Sequence, residues 1–241
     1  MIVPVEPAAV QRSLTRAVTA YIVTGLLFML IPGTFLGVWN LVSISSRRDL
    51  ESVSAAWMQA HAHAQIYGWI GTFILGIGYY SLSRMGRLPP FAARRAWASF
   101  ALWTSGVTLR WTAGATGWEW RVALPVSALL ELAGFSFFFA TVSGHKTEPG
   151  PEGASPRKAK EPWMLIVISA TFGFLFSLLL NLGAVSEAAL SGNGPELSHS
   201  LDERLLSAPI WVFLVPTVWG FNARWLPVFL GSRPLQARDC S

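Results

Sequence analysis

Cysteine is almost absent: the only one, Cys240, lies one residue from the end of a 241-residue sequence. A single cysteine excludes a disulfide framework, and any metal site built from paired thiolates, within one chain. Charge is scarce as well. Asp, Glu, Lys and Arg make up 13% of the residues, about half the fraction in an average soluble domain. The net charge of +5 is small for a nucleic-acid binder, and no nucleic-acid partner is expected. Phosphate loop, dinucleotide fingerprint, HExxH and nucleophile elbow are all missing. No catalytic residue is assigned, and there is no internal repeat.

What is present is apolar. Hydrophobic residues make up 52% of the chain, with twelve Trp and fifteen Phe. A helix needs about 20 mostly apolar residues to cross a bilayer. Six stretches qualify: 17–44, 60–83, 95–113, 120–143, 163–190 and 207–231. The fold class is therefore all-α, a polytopic transmembrane bundle of about six helices forming one membrane domain over 1–241. The third stretch is the least apolar, because Arg110 sits near its end. The first run follows a polar stretch with Arg12 and Arg16, and no small-residue cleavage site comes after it. It reads as a retained helix rather than a signal peptide. Residues 144–162, GHKTEPGPEGASPRKAKEP, are rich in Pro, Gly and charge. They form an exposed loop that divides four helices from two.

Lys and Arg placement sets the orientation. With the N-terminus inside, the inner segments hold Arg12, Arg16, Arg84, Arg87, Arg94, Arg95, Lys146, Arg157, Lys158, Lys160, Arg233 and Arg238. The outer side holds Arg47, Arg48, Arg110, Arg121 and Arg204. The chain is expected in the inner (plasma) membrane, in contact with lipid, and the bias puts the N-terminus and the 144–162 loop on the cytoplasmic side. Trp57, Trp111, Trp118 and Trp120 then suit the outer interface belt.

Of four histidines, His145 falls in the inner loop and is expected to be solvated. His61, His63 and His199 fall on the outer side. Titratable groups near membrane depth are expensive and usually kept for a reason, and imidazole is a common ligand of metals and haem. Two residues apart on a regular helix point about 200° apart. Either the helix is irregular there, or His61 and His63 serve different tasks. Below His61 run Ala64, Gly68, Gly71, Leu75 and Gly78, a smooth face that admits either a flat macrocycle or a packed helix. His63 shares its face with Tyr67. Arg110 and Arg121 suit either propionate binding or interfacial snorkelling. Glu131 lies about 16 Å into the fourth helix at 1.5 Å per residue. An acid at that depth suggests proton transfer or a bond to a neighbouring helix, and Asn181 could join such a bond. His199 opens LSHSLDERLL, a candidate amphipathic surface helix and a further candidate ligand.

The string HAHAQIYGW at 61–69 resembles the HAHEMIFGY type of motif in NnrS proteins, multi-helix membrane proteins of the nitric-oxide response. Both histidines, Ile66, Tyr67, Gly68 and Trp69 follow the pattern. Ala64 and Gln65 replace its Glu-Met. A weaker echo lies in GFNARWLPVF at 220–229, through Arg224, Pro227 and Phe229. Family members carry about twice as many helices. The resemblance implies haem of b type, with copper as a second metal. His61, His63, Arg110 and Arg121 then become cofactor-binding candidates, and His61, His63 and His199 metal ligands. It makes nitric oxide, other membrane subunits or a second copy candidate partners. A distant likeness to the main subunits of haem-copper oxidases places histidines at similar helix ends. Too few histidines are available here for a complete oxidase centre. Two other functions stay open: a cofactor-free structural or assembly subunit, and a small transporter with Glu131 and Asn181 near its pathway.

Overall fold

The computed structural model describes residues 7–47, 53–85, 93–143 and 162–232. The loop at 144–161, His145 and Cys240 lie outside them. Among the described residues six helices form: α1 (7–47), α2 (55–85), α3 (Ala93–Thr116), α4 (Trp120–Ser143), α5 (Pro162–Ser191) and α6 (His199–Phe229). The chain is an all-α, multi-pass membrane bundle. The stretches 11–46, 120–143, 163–191 and 199–229 are long and apolar enough to cross a membrane. The two helices outside that group, α2 and α3, bury Gln59, His63, Thr72, Ser81, Ser99 and Arg110 in the bundle, and such polar residues lower their hydropathy.

Four helices, α1, α2, α3 and α6, begin two or more residues before their apolar runs. Ser54 caps α2, its side chain accepting from Trp57 N at 3.3 Å, so α2 starts at Ala55 and His61 and His63 stand inside it. The polar segment ahead of 207 is helical from His199 and continues into α6. Three helices contain π-helical stretches, Met29–Phe35, Ala64–Gly71 and Ile210–Leu214. The first holds Pro32 and the third follows Pro209, where a missing N–H breaks the regular ladder.

Small residues set the closest packing. A Cβ on Gly106 of α3 would lie 2.7 Å from Ser127 O and 2.8 Å from Glu131 Cγ, and one on Gly134 of α4 would lie 2.8 Å from Trp103 N. The α3–α4 turn is tight. Gly117 ends α3 at φ 69°, a left-handed conformation that glycine adopts without strain, and its N–H returns to Ala113 O. Thr104, Thr108, Thr112 and Thr116 each donate to the carbonyl four residues back, which hides their hydroxyls from an apolar surround. The main core joins α1 to α6 through Tyr21, Tyr67, Trp103, Phe135, Phe174 and Phe213.

Candidate functional site: a buried histidine–glutamate pair between the second and fourth helices

Because α2 is a regular helix through His63, its two histidines diverge, and they meet different neighbours. His63 is 4% exposed and turns into the bundle. Its Nε2 lies 2.8 Å from Oε1 of Glu131, which is wholly buried on α4. Gly106 makes the pair possible by letting α3 pass directly over the Glu131 side chain. One turn further along α2, the Tyr67 ring stacks on the imidazole, with centroids 4.3 Å apart and planes 11° apart. Tyr67 in turn stacks on Phe174 of α5, so the imidazole is held between an aromatic face and a carboxylate.

Beside the pair lies a cavity of about 10 Å³, room for about one water. Gln59, His63 and Tyr67 of α2, Arg110 of α3 and Asn181 of α5 line one side. Leu197, Asp202, Leu205 and Leu206 line the other. Arg110 is not an interfacial snorkelling residue but is 6% exposed. Among the described residues it has no carboxylate within 4 Å, and its Nη1 has no hydrogen-bond partner. Glu131 Oε2 and Asn181 Nδ2 are likewise buried without protein partners. Such groups cost a few kcal/mol each if left unsatisfied, and here α2, α3, α4 and α5 concentrate them in the interior of the bundle.

The remaining residues named from the sequence go elsewhere. His61 is partly exposed and packs against α1, where a Cβ on Gly37 would lie 2.9 Å from its Cε1. Its Nδ1 is buried and unpartnered. The smooth face below it is filled by protein. A Cβ on Gly68 would meet Phe28 at 2.9 Å, on Gly71 Trp103 at 2.8 Å, and on Gly78 Phe138 at 2.7 Å. Arg121 is exposed over Trp120 and donates to Ala189 O and Gly192 O at the end of α5. His199 is exposed at the start of α6. Among the described residues no three His, Cys, Asp or Glu side chains stand together as a metal site. The structure brings His63 and Arg110 together at one cavity, whereas His61 lies against α1 and Arg121 at the end of α5, so the four do not hold one haem jointly.

Gln59 and Asp202 join the site only through the fold. Gln59 and Tyr67 flank His63 at i−4 and i+4, one helical face, and that spacing is the signal that finds them. Asp202 had no such signal, because its place depends on how α6 folds back. Comparison with protein-family models, with characterised proteins and with solved structures finds no match to this chain. The likeness to NnrS therefore rests on the motif residues themselves.

Proposed function

We propose that this is a proton-handling membrane protein of the small-transporter kind, with the buried His63–Glu131 pair as its centre. The observation that carries the reading is the 2.8 Å contact between a carboxylate with no exposure and an imidazole with almost none. Both can hold or release a proton, and ionisable groups at membrane depth commonly mark proton routes. Arg110 and Asp202 balance charge round the cavity, and Tyr67 fixes the imidazole plane. The test is proton uptake by proteoliposomes under an imposed potential, read with an internal pH dye. Wild type should take up protons and Glu131→Gln should not, with both eluting as the same folded species in detergent. Equal uptake by the two, or none by wild type, would remove the reading.

A second reading follows the NnrS resemblance: haem bound through His61 alone, on the α1 side of α2. The observation in its favour is the buried, unpartnered Nδ1 inside the matched string. When bound, haem would supply ligand binding or one-electron chemistry. Detergent-purified protein should then show a Soret band that His61→Ala abolishes and Arg121→Gln leaves unchanged. A colourless protein from haem-replete cells ends this reading.

A further inference from the structure

The cavity beside His63 has two dissimilar sides. Its floor is polar and belongs to the helix bundle. Arg110 and Asn181, 6% and 4% exposed, each present a buried donor nitrogen with no protein partner. Its roof is Leu197 and the first segment of α6, His199–Pro209, which contributes Asp202, Leu205 and Leu206. The roof segment is amphipathic: Leu205 is buried, while Glu203 and Arg204 face out.

Two features make the roof separable from the floor. At one end, Gln59 clasps a single backbone residue twice: its Nε2 donates to Leu197 O and its Oε1 accepts from Leu197 N, both at 2.8 Å. At the other end, Pro209 leads into the π-helical stretch Ile210–Leu214. Proline supplies no N–H to the ladder and π turns are irregular, so this junction is a natural place for bending. A side-chain latch and a softened joint thus bracket the segment that covers two unpaired donors.

We propose that the cavity is an occluded binding site for one water-sized hydrogen-bond acceptor, and that residues 197–209 form its lid, released when Gln59 lets go of Leu197. A water fits the chemistry, since it accepts from Arg110 and Asn181 and retains two protons to donate toward Asp202 and the pair. The functional meaning rests on the reading of His63–Glu131 as a proton-handling centre. The experiment reads access alone, so it stands or falls separately from proton uptake.

The test uses the full chain with Cys240→Ser and a single new cysteine, Asn181→Cys, treated with a small cationic methanethiosulfonate reagent. Leu190→Cys, at an 86% exposed position on α5, serves as control. Asn181→Cys should react at least tenfold more slowly than the control. Adding Gln59→Leu should raise its rate at least tenfold without changing the control rate. Leu206→Cys, on the lid side of the cavity, should respond in the same direction and replaces Asn181→Cys if that variant does not fold. Labelling as fast as the control before the Gln59 change would show that the site is not occluded. Slow labelling unaffected by Gln59→Leu would show that the latch does not govern the lid. A high-resolution structure should also place one water within hydrogen-bond distance of Arg110 and Asn181. Protein atoms bonded to both nitrogens instead would remove the site.

Discussion

Glu131 shows how much one side chain depends on its surroundings. A lone carboxylate in the hydrocarbon region is unstable, and the contact with His63 at 2.8 Å is what makes it tolerable. The sequence announced Glu131 by depth and His63 by chemistry, but not that they meet, because their pairing depends on the α2–α4 crossing. Arg121 shows the reverse. Its sequence position suited a propionate partner, whereas its guanidinium caps the end of α5. We expect Arg121→Gln to lower stability by about 0.3–1 kcal/mol, the range for a cation near a helix C-terminus, and to leave proton uptake intact. Thermal unfolding in detergent together with the liposome assay checks both parts.

The helices were legible as elements, since each apolar run became one. Their starts were less so. The Ser54 cap and the amphipathic 199–209 segment extend α2 and α6 beyond the apolar signal, because local hydrogen bonding rather than hydropathy sets helix ends. The small-residue face below His61 admitted two meanings, a flat ligand or a helix. Phe28, Trp103 and Phe138 occupy it, so it is a packing surface. The same logic makes Gly106 critical. Its missing side chain lets α3 lie against Ser127 and Glu131, so Gly106→Ala should cost about 1–3 kcal/mol through overpacking. Because backbone is the first obstacle, at 2.7 Å, Gly106→Val should prevent assembly of the folded species, read as loss of the monodisperse peak in size exclusion. A Val variant as stable as wild type would mean that α3 and α4 are not in this contact.

At the scale of the whole molecule, the outer half holds the pair, the cavity and its lid, if the Lys and Arg bias sets the orientation. The α3–α4 turn then faces outside. A cysteine placed at Trp118, an exposed turn residue, in a Cys240→Ser background should be labelled by a membrane-impermeant reagent on intact cells. Protection there, with labelling only after lysis, would invert the topology. Charge placement could be read from the sequence because it is a property of loops. The enclosed cluster could not, because it draws on α2, α3, α5 and the folded-back start of α6 at once.

That His63 and Glu131 act as one buried unit is best tested by a double-mutant cycle on unfolding free energy in detergent. Each single substitution, His63→Leu or Glu131→Leu, strands a polar partner in the bundle and should cost about 3–5 kcal/mol. The double variant strands neither, so its cost should be no greater than that of the worse single change, a coupling of several kcal/mol. Costs that simply add, with no coupling beyond about 0.5 kcal/mol, would contradict the pairing on which the proposed function rests.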